Sequence, residues 1–395
     1  MNALRYLLPA LLLTGIARAA ETRAWTDLQN RTLEARMVRL DGESVILELK
    51  DGRKVPLALD KLCEADVAYA RSQEAGGASG APGASDPAAP NFDAPWPEHI
   101  KFGDDPGVTT VVEDADKKHF VYESTNYRYT CDVRLSKSVV KGFAVMFEAT
   151  HLFCRTLPLG LDGGELTDGK LQILLYENFD DYVTAGGKPH TSGYFIGSKA
   201  AVIVPLTSLG VRPVGSGYMF DREKSSKTLP HELTHQLTPH PYFQSGAMGW
   251  FTEGLAEYVA VTPYRSGAFS VRNNHSDIVA YTTGYGTKNS GGRALGKDIQ
   301  MADLKAFMLQ DYANFTASPQ LNYGCGLLIT YYFLQMDGAG DGKRVKDFLK
   351  ALRAGKTGED ALAVLLDGRT FDQLASEITK AWKRRGIELA FRAGS

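Results

Sequence analysis

The chain has 395 residues, 44% of them hydrophobic, and a formal net charge of −2. Those numbers allow a large core in one to three domains. They exclude a basic nucleic-acid binder, because Lys and Arg form no long blocks and no cationic footprint stands out.

The first element is a leader. Arg5 supplies a positive start, Leu7 to Ala17 is apolar apart from Pro9, Thr14 and Gly15, and Ala17-Arg18-Ala19 is an A-x-A cleavage site. Residues 1–19 therefore read as a signal peptide, and the expected location is secreted or periplasmic. The apolar run is shorter than the roughly 20 residues that a spanning helix needs. The stretch Gly326 to Met336 is also too short and contains Tyr331, Tyr332 and Gln335. The four cysteines, Cys63, Cys131, Cys154 and Cys325, are too few for a disulfide scaffold. Export permits one bridge, for which Cys131 and Cys154 are the nearest candidates.

Residues 22–72 read as a small β unit. Leu33, Ala35 and Met37 alternate, as do Val45, Leu47 and Leu49, and then Val55, Leu57 and Leu59. Asp41-Gly42 and Asp51-Gly52 mark the turns between them, a strong hairpin signal. A short helical segment is expected from Asp60 to Arg71. With Ala24-Trp25-Thr26 at its start, Asp51-Gly52 in its middle, and Pro56-Leu57, Lys61-Leu62 and Asp66 at its end, the unit resembles the SLAP homology domain 1. That resemblance implies a small SH3-like β-barrel with a binding or anchoring role, towards a cell-envelope partner. Residues 73–95 are rich in Ala, Gly, Ser and Pro and read as a flexible linker.

Residues 96–395 form the large domain, and the expected class is α+β. His119 to Arg134 suits strands. A helix capped by Ser136 or Ser138 runs to about Leu157. Leu171 to Tyr176 is a buried strand, and Phe179 to Thr184 is helical. Tyr194 to Ile196 and Ala200 to Val204 form a hairpin. A helix begins near Thr228 with Pro230 in its first turn. Leu229, Leu233 and Leu237 make its apolar stripe. Residues 265–300 read as loops over a cleft. Helices return at about 302–311, 322–336, 343–353, 358–366 and 371–391.

The chemistry sits on the Thr228 helix, in His231-Glu232-Leu233-Thr234-His235. Two histidines four residues apart share a helix face, with Cβ atoms roughly 5–6 Å apart. That spacing suits two imidazoles on one Zn²⁺, while Glu232 points to the side, where it reaches a water without being a ligand. A third ligand decides the case. The metzincin completion needs Gly at 238 and His at 241, and the chain has Thr238 and Pro241. A Glu on a following helix fits instead: Glu253, in Trp250-Phe251-Thr252-Glu253-Gly254-Leu255-Ala256-Glu257-Tyr258. The three ligands then carry one negative charge and leave the site at net +1.

Through His231, Glu232, His235, Glu253 with Gly254-x-Ala256, and Tyr258, the chain resembles the gluzincins, and more closely the peptidase MA-like group. The resemblance implies a zincin-like metallopeptidase domain that hydrolyses peptide bonds of peptide or protein substrates. His231, His235 and Glu253 would hold Zn²⁺, and Glu232 would be general base to the activated water. Glu257, one turn after Glu253, is the expected acceptor for the free N–H of a ligand histidine. Asn322-Tyr323-Gly324-Cys325-Gly326 resembles the Tyr-x-x-Gly segment of aminopeptidase-type gluzincins, which makes Tyr323 the expected oxyanion donor. Cys325 departs from that pattern, where Lys is usual. No Gly-x-Met-Glu-Asn exopeptidase motif is present, so an endopeptidase is expected. The competing expectation is a non-catalytic cell-surface or periplasmic binding protein on a peptidase-like scaffold. His190, His240 and His275 read as loop or surface histidines.

Overall fold

The computed structural model describes residues 22–26, 31–41, 44–50, 53–62, 66–67, 70, 90–103, 105–224, 228–271, 274–284 and 292–392. The expected signal peptide, Cys63 and residues 73–89 of the expected linker lie outside the described residues. The chain divides into two compact units, residues 1–86 and 87–395.

In the first unit, β1 (Thr22–Thr26), β2 (Thr32–Asp41), β3 (Ser44–Leu49) and β4 (Lys54–Ala58) form an antiparallel sheet in chain order. Period-2 alternation puts Ala35, Met37, Val45 and Leu47 on one face, packed around Trp25. The Trp25 indole N–H donates to the Ala35 carbonyl at 3.1 Å. Buried Asp66 accepts the Thr26 N–H at 2.5 Å, which ties the end of the unit to its first strand. The sheet is open, with no closed barrel among the described residues.

The second unit is mixed α and β. After the short β5 (His99–Lys101), strands β6 (Thr109–Asp114), β7 (His119–Glu123) and β8 (Tyr127–Cys131) run as an antiparallel meander. Helix α1 (Lys137–Thr156) follows, with the Ser136 side chain accepting the Val139 N–H as its cap. Strand β9 (Leu171–Tyr176) lies parallel to β8. After the short helix α2 (Phe179–Thr184), β10 (Tyr194–Ile196) and β11 (Ala201–Pro205) pair antiparallel, and β11 lies parallel to β9. The six-stranded sheet has the order β10-β11-β9-β8-β7-β6, which leaves β10 as an edge.

The hairpin β12 (Val211–Val214) and β13 (Gly217–Phe220) leads to helices α3 (Leu229–Leu237) and α4 (Trp250–Val261). Strands β14 (Tyr264–Arg265) and β15 (Ala268–Ser270) join β5 in a small sheet. Then come α5 (His275–Thr283), β16 (Asp298–Met301), α6 (Leu304–Leu309), α7 (Tyr312–Ala317), α8 (Pro319–Gln335), α9 (Lys343–Arg353), α10 (Gly358–Leu366), α11 (Phe371–Lys383) and β17 (Glu388–Phe391), which pairs parallel with β16. One continuous core joins the inner sheet face, α1, α3, α4 and the C-terminal helices.

Four expectations differ from the structure. The 265–300 stretch is not all loop: it carries β14–β15 and α5, whose buried residues are only Ile278 and Thr282, too sparse a stripe to register as helical periodicity. The last helix ends at Lys383 rather than near 391, because Gly386 takes φ +82 and the chain turns back as β17. Cys131 and Cys154 are free and buried. Their thiols face Asp132 Oδ1 at 3.9 Å and Thr234 Oγ1 at 3.8 Å, not each other. Finally, residues 90–95, read with the linker, include buried Phe92, and Asn91 Nδ2 donates to the Arg155 carbonyl at 2.8 Å.

Candidate metal centre

Helix α3 is set by its leucines. Leu229, Leu233 and Leu237 are fully buried at i, i+4 and i+8, so the histidine face is turned toward α4. The Thr234 hydroxyl donates to the Pro230 carbonyl at 2.7 Å, and the Thr238 hydroxyl to that of Thr234, also at 2.7 Å. Thr238 is extended, and Pro239 ends the helix.

Helix α4 starts at Gly249, whose φ of +83 favours glycine, and whose N–H is accepted by the Thr252 hydroxyl at 3.1 Å. Ten of its twelve residues are buried, so any charge it carries must find partners within the fold. It crosses α8 at a close approach. A Cβ on Gly254 would lie 2.4 Å from the Gly326 carbonyl oxygen and 2.3 Å from Thr330 Oγ1. This approach turns Glu253 and Glu257 toward α3.

The structure brings His231, His235 and Glu253 together. His231 Nε2 lies 3.1 Å from Glu253 Oε2, His235 Nε2 lies 3.1 Å from His231 Nε2, and His235 Nε2 lies 3.2 Å from Glu253 Oε2. Among the described residues this is the group of His, Cys, Asp and Glu that could hold a metal. Bonds of about 2.0–2.1 Å to a tetrahedral zinc place ligand atoms roughly 3.3 Å apart, close to the observed triangle. The donor set, two imidazole nitrogens and one carboxylate oxygen, is a zinc-like set rather than a calcium or magnesium one. His231 and Glu253 are almost fully buried, and His235 is partly exposed.

Around this triangle lie further groups. Glu257 Oε1 is 3.2 Å from His231 Nδ1, close enough for charge pairing but off the line of a hydrogen bond. Glu257 is gripped by Arg293, with Nη2 at 2.5 Å from Oε1 and Nε at 3.2 Å from Oε2. The Tyr312 hydroxyl donates to Glu253 Oε1 at 2.9 Å. The Tyr323 ring stacks on His231, with centroids 6.1 Å apart and planes 13° from parallel, and the Arg293 guanidinium lies 4.7 Å from the centre of the Tyr323 ring. Glu232 stands outside the triangle. Its Oε2 accepts the Phe195 N–H of edge strand β10 at 2.9 Å, and Gly193 lies beside its Cγ. Buried His235 Nδ1 has no hydrogen-bond partner among the described residues.

Electrostatics follow from this crowding. Burial would push the His231 imidazolium down, but Glu253 and Glu257 override it and hold it up at about 10. Burial would raise the Glu253 carboxyl, and the two histidines hold it well below the usual range instead. Glu257 is likewise pulled down to about 2 against burial, by His231 and Arg293. The pocket thus favours positive charge among its ligand atoms, which is what a cation supplies. Burial first, then the Glu253 charge, pushes the Tyr312 and Tyr323 hydroxyls up, so both stay protonated donors.

Of the other histidines, His240 is exposed in the turn after α3 and outside the ligand group. Arg293 and Tyr312 are the groups that sequence reasoning missed. Arg293 lies in a Gly-rich stretch and Tyr312 in a short helix, and neither belongs to a spacing pattern that points to α4. No protein-family model matches the chain, and no curated protein matches it.

Proposed function

We propose that the chain is a zinc-dependent peptidase of gluzincin type, acting on internal bonds of peptides or proteins. The observation that carries this is the triangle of His231, His235 and Glu253 with Glu232 set beside it rather than in it. A structural zinc would call for four protein ligands, and a binding module has no use for Glu232, a non-ligand carboxylate on the helix that carries both histidines.

When bound, zinc supplies Lewis acidity, lowering the pKa of water toward about 7 and polarising a carbonyl. The protein's residues do the rest. Glu232 takes the proton of the attacking water and delivers it to the leaving amine. Glu232 accepts the Phe195 N–H of β10, an edge strand of the six-stranded sheet. An extended peptide lying along that edge would bring its scissile bond to the base. The Tyr323 hydroxyl, held by stacking on His231, is the donor assigned to the oxyanion. Glu257, held by Arg293, pairs by charge with His231 from behind.

The finer fold readings, a zincin-like large unit and an SH3-like N-terminal unit that meets a cell-envelope partner, belong to this proposal. So does export, which rests on residues 1–19; none of the described helices is long and apolar enough to cross a membrane.

The test is Glu232→Gln in the full chain, with bound zinc and peptide hydrolysis measured side by side. The variant should keep its zinc and lose roughly 10²–10⁴-fold in turnover. Zinc without cleavage of any peptide by the unsubstituted protein favours a binding role, and no zinc in either protein ends the proposal.

A further inference from the structure

The Tyr312 hydroxyl is the polar group at the site that the proposed chemistry leaves without a task. Glu253 divides its oxygens. Oε2 faces both histidine nitrogens at 3.1 and 3.2 Å, while Oε1 accepts from Tyr312 at 2.9 Å. We propose that Tyr312 is a positioning residue that keeps Glu253 a single-oxygen ligand. This rests on the metal-centre reading. A carboxylate can bind a metal through one oxygen or both. A donor fixed on Oε1 engages a lone pair of the oxygen that two-oxygen binding would need and anchors it away from the histidine nitrogens, and so keeps a coordination position open for water or a substrate carbonyl, as catalytic zinc requires.

The placement of that hydroxyl is built in. Tyr312 opens α7, where Asp311 caps the turn by accepting the Asn314 N–H at 2.8 Å and Asn314 Nδ2 at 2.9 Å. Phe315, within the same helix, is fully buried and packs against Phe307 and Tyr323, with centroids at 5.9 and 5.4 Å. Its carbonyl accepts Asn322 Nδ2 at 2.6 Å. A Cβ on Gly249 would come within 2.9 Å of the Phe315 ring. The residue that starts α4 therefore touches the helix that carries Tyr312, and Glu253 and Tyr312 are held in register. Tyr312 itself is 39% exposed, so its ring adds little to the core, and its hydroxyl meets Glu253 Oε1 with the Tyr323 hydroxyl beside it. Tyr323 lays its ring against His231 and its hydroxyl beside that of Tyr312, but it makes no hydrogen bond to Glu253 among the described residues.

Cobalt in place of zinc reads the question, because the visible absorption of Co²⁺ is intense with four ligands and weak with five or six. Load the full-length protein, Tyr312→Phe and Tyr323→Phe with Co²⁺, and measure spectra and competitive metal affinity. The unsubstituted protein and Tyr323→Phe should share one intense spectrum. Tyr312→Phe should bind one metal with markedly weaker bands and about 10-fold lower affinity. A Tyr312→Phe spectrum and affinity equal to those of the unsubstituted protein overturn the proposal. Failure of the unsubstituted protein to take up cobalt or zinc removes the metal centre itself, a different and separable outcome.

Discussion

Two buried glutamates of the large unit show opposite ways to hold a carboxylate. Glu148, on α1 and 1% exposed, accepts from Ser124 Oγ at 2.6 Å, Asn126 N at 2.8 Å and Asn126 Nδ2 at 2.6 Å. Every donor is neutral and belongs to the β7–β8 turn, so the charge is satisfied and nothing more is needed. Glu253, 2% exposed, has one neutral donor, Tyr312. Its other oxygen meets two imidazole nitrogens, which carry lone pairs when the rings are neutral with their protons on Nδ1. Glu148 closes a fold, whereas Glu253 is completed only by a proton or a cation. Burial alone does not mark a site; converging lone pairs do.

Substitutions can break that contrast, from the largest effect down. Glu253→Ala should lower zinc affinity by roughly 10²–10³-fold, because zinc binding of about 10–16 kcal/mol divided over four positions assigns about 2.5–4 kcal/mol to each. Competition with a chelating dye measures it, and an unchanged affinity would mean that the metal sits elsewhere. Glu148→Ala should cost about 3 kcal/mol in urea unfolding, since it orphans buried donors, while zinc binding stays as it was. Zinc loss in that variant would erase the distinction between the two carboxylates. Glu257→Gln keeps a group of the same shape without the charge, and should weaken zinc about 10-fold. Equal affinity would show that His231 needs no support from Glu257.

Part of this is legible in the sequence. Histidines four apart, with leucines at 229, 233 and 237, place two imidazoles on one face of a helix by spacing alone. Glu253 follows as the carboxylate on the next helix that the proposed metal centre calls for, and the structure brings it to both imidazoles. Ser136 as a cap and Leu171 to Tyr176 as a strand are local signals, and the structure has both. Arg293 and Tyr312 reach the site from 36 and 59 residues beyond their partners. Packing of α4 on α8 through Gly254 and Gly326, with Gly249 against Phe315 and Gly324 against Arg293, brings their segments in. Nothing in the spacing of the chain encodes that approach. Helix α5 escapes a reading by periodicity for a related reason, having too few buried residues to show a period.

The smallest expected effect compares two histidines in these same regions. His151 lies one turn beyond Glu148 on α1, with its ring edge-on to Tyr127 at 6.1 Å. Arg155 Nε donates to its Nε2 at 3.4 Å, a contact that needs a neutral imidazole. Burial first, and then the Arg155 charge, pushes its pKa down to about 4. The unfolded chain takes up this proton near 6.5 and the folded one only near 4, so stability is lost as pH falls from 6.5 toward 4. From pH 7 to 5.5 the loss is about 1 kcal/mol, given about 1.4 kcal/mol per unit. His231 has the opposite sign. Held up at about 10 in the metal-free protein, it contributes stability that is fully present below 6.5 and is lost as pH rises through 10. His231 is the same in the metal-free unsubstituted protein and in metal-free His151→Gln, so comparing the two cancels it. Urea unfolding at the two pH values should show about 1 kcal/mol less acid destabilisation in the variant. Equal slopes would mean that His151 takes up its proton in the folded protein as readily as in the unfolded chain, and that the α1 seam tolerates a cation as the Glu253 pocket does.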